Sequence, residues 1–146
     1  WPPAGVPEPR VVVPLILVAV LASTSAPMAL AVRAARAGRL AATRAFVALA
    51  LFVQAGYFAY EVRDFTDQLH RFGPSTDAYG SVYYVLLGAD HGHVAVGLLL
   101  DAWLLAKLST GLTRYRVNAV GAIALYWYAV NVITLVVAGT LLSAAA

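Results

Sequence analysis

The sequence predicts an all-α protein, a polytopic membrane helix bundle with four transmembrane helices in a single membrane domain spanning residues 1–146. Three observations carry this. Of 146 residues, 62% are hydrophobic and 12% charged, about half the charge of an ordinary soluble domain. Apolar stretches of about 20 residues or more, long enough to cross a bilayer, recur along the chain. The cations collect in two of the connections between those stretches.

The first span is VVVPLILVAVLASTSAPMALAV, residues 11–32. Pro14 falls in its first turn, where no backbone donor is lost. Pro27 lies deeper and should kink the helix. The second span is RAFVALALFVQAGYFAYEV, about 44–62, the third runs about 79–108, and the fourth is VNAVGAIALYWYAVNVITLVVAGTLLS, about 117–143. The opening WPPAGVPEPR has no basic start and no cleavage pattern, so it does not read as a signal peptide. A chain starting at Trp1 is expected to be part of a longer one, or one whose start was processed.

Orientation follows from the connections. Arg33, Arg36, Arg39 and Arg44 lie between spans one and two, and Lys107, Arg114 and Arg116 between spans three and four, with no acid in either. Between spans two and three, Arg63 and Arg71 meet Glu61, Asp64, Asp67 and Asp77, and the N-terminal piece balances Glu8 with Arg10. The positive-inside rule then places the arginine-rich loops in the cytoplasm and both chain ends outside. The same topological role accounts for these basic clusters better than a nucleic-acid surface does. Tyr57, Tyr60, Tyr79, Tyr83 and Tyr84 cluster where the outer interface should lie; they read either as an aromatic belt or as tyrosines packed between helices. With no cysteine in the chain, disulfide, zinc-thiolate and iron–sulfur sites are excluded.

The informative stretch is GADHGHVAVGLLLDAW, residues 88–103, where four ionisable groups interrupt an apolar helix. A charged aspartate at a helix centre costs roughly 2.5–3.5 kcal/mol on insertion, so these groups need partners. Helical spacing puts Asp90, His93, Gly97 and Asp101 near one stripe, with His91 pointing away. Asp101 should lie toward the cytoplasmic end, near Lys107 and interfacial water. The fourth span offers Tyr126, Trp127, Tyr128, Asn131 and Thr134. Antiparallel packing would bring Asp90 or His93 toward Tyr128 or Asn131. Three readings follow. Asp90, His91 and His93 would be metal or haem ligands, although 91 and 93 diverge on a helix and no other span brings a histidine. Asp90, His93 and Asp101 would form a proton path. Or the cluster is a buried polar group that fixes helix register or holds a lipid headgroup.

Set in order, these pieces resemble the cytochrome c oxidase subunit III family. WPPAGV is similar to its Trp-Pro-Pro-x-Gly stretch, and PLILVAVLASTS to the helix that follows, with Ser23, Thr24 and Ser25 as its small hydroxyl group. LALFVQAGYF resembles the next helix, with Gln54 at its usual place. DAYGSVYYVLLGADHGHVAVG resembles the family's Tyr-Gly-Ser opening and its Gly-x-His-Gly-x-His-Val-x-x-Gly run; ALYWYAVNVITL resembles the Tyr-Trp-His-Phe-Val-Asp run of the last helix. Asp90 stands for the family's first histidine, Tyr57 for a glutamate, Tyr128 for a histidine, Asn131 for an aspartate and Thr134 for a tryptophan. The resemblance implies an inter-helix and lipid-binding polar cluster of Asp90, His93, Tyr128, Asn131 and Gln54; Asp101 stands outside it and belongs to the proton-path reading of the stripe. It implies a divergent member covering the last four of the family's seven helices, without the early helices and their acidic residue facing subunit I.

The function it implies is a non-catalytic subunit of a bacterial haem–copper terminal oxidase in the plasma membrane. Such a subunit supports proton uptake and the stability of subunit I, its main contact, and binds phospholipid. The chain itself would carry no cofactor, with haem and copper in partner subunits. The alternatives are a companion of a quinol oxidase or nitric oxide reductase, a small proton or ion transporter using Asp90, His93 and Asp101, and a copper-binding membrane monooxygenase subunit.

Overall fold

A computed structural model describes residues 12–71, 73–75 and 78–143. The Trp-Pro-Pro stretch, Glu8, Arg10 and Asp77 lie outside the described residues. The elements are α1 (Val12–Ser23), α2 (Ser25–Arg36), α3 (Leu40–Leu69), α4 (Ala78–Leu108) and α5 (Arg114–Ser143).

Four segments are long and apolar enough to cross a membrane: Val12–Arg36, Leu40–Leu69, Ala78–Leu108 and Arg114–Leu141. The first contains both α1 and α2. The expected kink appears as a break at Thr24, three residues before Pro27. Proline has no N–H for the carbonyl of Ser23, and its ring crowds that carbonyl. Ser23 Oγ donates to the Val20 carbonyl at 2.6 Å and Thr24 Oγ1 to the Leu21 carbonyl at 2.7 Å. Hydroxyls bonded back onto the preceding turn bend a helix in the same way.

The second span is longer than its apolar core suggests. An apolar count stops near Glu61, but no glycine or proline breaks the chain between there and Gly73, so α3 continues to Leu69. Glu61, Arg63, Asp64 and Asp67 are therefore helical residues on α3, not loop residues as a count of charges between spans assumes.

Two short turns fold the helices back. After α2, Gly38 adopts φ +71°, which lets its N–H reach the Ala35 carbonyl at 3.0 Å and the Arg39 N–H reach Ala34 at 2.9 Å. This paired closure ends a helix with its last carbonyls satisfied. After α4 the Gly111 N–H, at φ +109°, returns to the Leu108 carbonyl at 3.2 Å, and Arg44 of the neighbouring helix joins it there. Its guanidinium donates to the Leu108 carbonyl through Nε at 3.0 Å and Nη2 at 2.5 Å. A cation there also meets the negative end of the helix dipole.

The helices close into a ring. α3 packs between α2 and α4, and α5 packs against α4 on one side and α1 and α2 on the other. Leu21, Met28, Val47, Val94, Leu104, Val120 and Trp127 fill its centre. Ala31, Ala34, Ala35, Ala50 and Ala124 are buried with them, small side chains that let membrane helices approach closely. The outside is apolar as well: Phe52, Val85, Leu99 and Leu125 are all more than two-thirds exposed, at 79%, 70%, 70% and 68%. That is the pattern of a surface solvated by lipid rather than water. The chain is a multi-pass membrane protein. Among the clustered tyrosines, Tyr57, Tyr79 and Tyr84 are buried between helices, and Tyr60 faces outward.

Replacing Gly38 by alanine should destabilise the bundle by about 1 kcal/mol, because a Cβ resists the left-handed conformation. Thermal unfolding in detergent checks this, and an unchanged midpoint would contradict it.

Candidate functional site

The buried polar groups form separate inter-helix locks at successive depths, not one cluster. At the arginine-rich end, Trp127 Nε1 donates to Asp101 Oδ2 at 2.8 Å, with both residues fully buried. Gly97, one turn away on α4, makes room: a Cβ there would stand 2.6 Å from Trp127 Cζ2. The indole lies against bare backbone and reaches the carboxylate beyond it.

Near the helix break, Asn131 Nδ2 donates to Ser25 Oγ at 2.8 Å and Gln54 Nε2 to Thr24 Oγ1 at 3.4 Å. Neighbouring residues of the broken span thus bind α5 and α3 at one level. Toward the other end, Thr134 Oγ1 donates to Asp90 Oδ1 at 2.7 Å, again between buried residues.

A further contact joins α3 and α4. His91 Nε2 lies 3.8 Å from Glu61 Oε2, and His91 Nδ1 donates to the Leu87 carbonyl at 2.6 Å. Phe65 stacks obliquely on His91 with centroids 5.3 Å apart and meets Tyr84 edge-on at 5.3 Å. The imidazole is thus walled by aromatic rings next to a carboxylate.

Several expected partnerships are corrected by this geometry. Asp90 pairs with Thr134, not with Tyr128 or Asn131. Asn131 turns to the helix break, and Tyr128 is half-buried at the edge of the apolar core. His93 is exposed, and its Nδ1 bonds to the carbonyl of Ala89 on its own helix at 2.7 Å. Asp101 does not reach interfacial water; Trp127 covers it. The physical reason for the different place of His93 is angular. At about 100° per residue, positions 90, 97 and 101 fall within about 40° of one another, whereas 93 lies about 60° from 90. The buried stripe is Asp90, Val94, Gly97 and Asp101. That spacing is legible in the sequence, and a finer angular count separates His93 from it. The Glu61–His91 contact carries no such signal, because Glu61 falls at the very end of the expected second span, is counted with the charges of the following connection, and has no partner marked for it in the sequence.

The arrangement ties helices together and offers little to a metal. Among the described residues no group of three or more histidine, aspartate or glutamate side chains is placed to hold an ion. His91 faces α3 while His93 faces outward, so the donor set does not fit haem or copper. What the fold and these locks define is a membrane-embedded helical protein in which buried hydroxyl, amide, indole and carboxylate groups tie the helices to one another.

The chain belongs to the cytochrome c oxidase subunit III family, whose sequence profile matches residues 1–141. It is 28% identical over 91 residues to cytochrome c oxidase subunit 3 of Bacillus subtilis (strain 168), covering 60% of this chain and 44% of that protein. To quinol oxidase subunit 3 of the same organism it is 28% identical over 121 residues, covering 82% of this chain and 59% of the relative. To cytochrome bo(3) ubiquinol oxidase subunit 3 of Pseudomonas aeruginosa it is 28% identical over 121 residues, 82% of this chain and 58% of the relative. The chain thus spans about half the length of the curated relatives it matches.

Trp127→Phe should cost about 1–3 kcal/mol, because it strands a buried carboxylate without its donor. Adding Asp101→Leu should recover much of that loss, since removing both partners spares the desolvation penalty. A double-mutant cycle on detergent stability reads the coupling; strictly additive losses would show the pair to be independent.

Proposed function

We propose that this chain is a non-catalytic subunit III of a bacterial haem–copper terminal oxidase, serving aerobic respiration from the plasma membrane. Its role is to stabilise subunit I and support proton uptake, with haem and copper held by partner subunits. The observation that carries this is the family match over residues 1–141, on a bundle whose buried carboxylates are bonded to Thr134 and Trp127 rather than arranged around a substrate.

The arginine-rich loops face the cytoplasm in this reading, and the C-terminus lies outside. The inter-helix polar residues Asp90, Gln54 and Asn131 keep the helices in register. Phospholipid has a place on the outer surface. An open groove of about 550 Å³ between α1 and α3 is lined by Leu17, Val20, Phe52, Gly56, Tyr57 and Tyr60. Its apolar walls suit an acyl chain, and tyrosines suit the boundary with a headgroup.

The relatives matched over most of this chain include quinol oxidase subunits, so a quinol-oxidising complex is the second reading. The transporter reading needs Asp101 to exchange protons along a path, and the burial of Asp101 beneath Trp127 argues against it.

The test is a reduced-minus-oxidised spectrum of the complex purified in mild detergent through a tag on this chain. An a-type haem band with larger co-purifying subunits is expected for a cytochrome c oxidase. A spectrum of b-type haem alone would indicate a quinol oxidase or nitric oxide reductase companion. Absence of haem would sink the oxidase reading and make proton flux in Asp101→Asn vesicles the next measurement.

In the same preparation, Asp90→Ala should reduce the yield of assembled complex while leaving the haem spectrum of the surviving fraction unchanged. Normal assembly with an altered turnover rate would contradict a purely structural role for Asp90.

A further inference from the structure

Glu61 and His91 face each other between α3 and α4, and helical spacing explains what surrounds them. Phe58, Glu61 and Phe65 follow at steps of three and four residues, so they share one face of α3. Tyr84 and His91 lie two turns apart on one face of α4. The two faces meet with His91 Nε2 3.8 Å from Glu61 Oε2. Phe58 and Phe65 lie beside the imidazole with centroids at 6.1 Å and 5.3 Å, and Tyr84 packs edge-on against Phe65.

The bond from the ring to its own helix fixes where its hydrogens are. Nδ1 lies 2.6 Å from the Leu87 carbonyl, which only accepts, so Nδ1 carries a hydrogen. In a neutral imidazole that is the one N–H, and Nε2 is then a bare acceptor. Nε2 is buried and has no hydrogen-bond partner. It faces a carboxylate oxygen, which when ionised also only accepts. Two acceptors turned toward each other between aromatic rings repel, and each has lost water that would solvate it. At 3.8 Å the two atoms are beyond a direct hydrogen bond and within reach of an ion pair. One added proton turns the repulsion into attraction, as an imidazolium facing a carboxylate.

The neighbouring charges point the same way. Asp64, one turn along α3, and Asp90 of α4 are the other carboxylates acting on Glu61. The phenols of Tyr57 on α3 and Tyr83 on α4 are also close enough to feel Glu61. Asp90 is turned to Thr134 of α5. Of these groups His91 alone can carry a positive charge. A metal ion would need more donors, and among the described residues no three histidine, aspartate or glutamate side chains come together to hold one. The side chains of His91 and Glu61 are mostly enclosed, at 13% and 14% exposure.

We propose that Glu61 and His91 form a binding site for one proton, and that this site is a latch between α3 and α4. With the proton, the two side chains draw the helices together. Without it, an unpaired carboxylate and a bare ring nitrogen face each other in an apolar wall, and the contact loosens. Water supplies the proton and takes it back, and only an N–H or O–H bond is made or broken. The proposal stands independently of the oxidase-subunit reading. By linkage, a proton held in the folded bundle and released as the helices part makes unfolding easier as the pH rises, up to about tenfold per pH unit.

The test uses the full chain with whatever subunits accompany it, purified in mild detergent through a fluorescent tag on this chain. The ratio of unfolded to folded tagged chain is read on titration with dodecyl sulfate, from about pH 6 to about pH 9, a range that begins near the ordinary imidazole titration. The wild type should unfold more readily at each step up in pH. Glu61→Gln brings an amide N–H to Nε2 with no proton uptake, and should lose most of that slope. His91→Gln, whose amide donates to the carboxylate, should lose it as well. If either single variant fails to fold, Glu61→Leu combined with His91→Phe removes both partners, keeps the packing apolar and should also be flat. A wild-type ratio that does not change with pH, or a slope the variants share unchanged, overturns the proposal. A slope abolished by a metal chelator overturns it too, and assigns the site to a metal ion.

Discussion

The hydrogen bond from the Trp127 indole to the Asp101 carboxylate is the contact on which the bundle most depends. It sits in an apolar interior where a lone carboxylate is costly. Its geometry requires the bare Cα of Gly97, because any side chain there collides with the indole ring. One bond therefore settles the rotation of α4 against α5 and their separation. The Thr134–Asp90 bond between the same two helices repeats the arrangement nearer the other end. Two such points on one pair of rods leave little freedom of rotation or slide.

The rest of the ring follows from this pair. The break at Thr24 leaves Thr24 and Ser25 facing different neighbours, and each meets an amide, Gln54 on α3 and Asn131 on α5. Proline-driven irregularity in one span thus becomes the means of tying two others to it. On the far side, Arg44 closes the end of α4, and the Glu61–His91 contact with its aromatic wall holds α3 to the opposite part of α4. Each link is modest, since hydrogen bonds between membrane helices are worth about 0.6–2 kcal/mol. Their value lies in direction, because apolar packing alone does not choose among rotations of helices that are greasy on every side. Most of the buried polar side chains are used between the helices themselves, which supports the proposed non-catalytic role, although one oxygen each of Asp101, Gln54 and Asn131 is left without a hydrogen bond.

How much of this is legible in the sequence varies from residue to residue. The spans follow from apolar length, and the kink from Pro27. Asp90 and Asp101 stand out as needing partners, because a charge in an apolar helix is an energetic statement by itself. Asn131 stands out as a polar group on the facing span, and Gln54 is marked out through the family resemblance. Coarse helical spacing groups His93 with them, because it does not distinguish a residue on the stripe from one about 60° beside it. The partner of Glu61 escapes because apolar counting stops the second span at Val62 and assigns Glu61 to the charges of the connection, whereas the helix runs on to Leu69.

The sequence by itself determined the class of protein, the number of crossings, the asymmetry of charge between the two sides and which buried groups had to be satisfied. Each of these depends on composition and order along one chain. Only the tertiary structure decided which donor meets which acceptor, that Trp127 rather than water covers Asp101, and that His93 faces out. Those outcomes depend on the rotation and depth of each helix against its neighbours. Rotations of a few tens of degrees are enough to exchange one partner for another, and only the packing of all the helices together sets them.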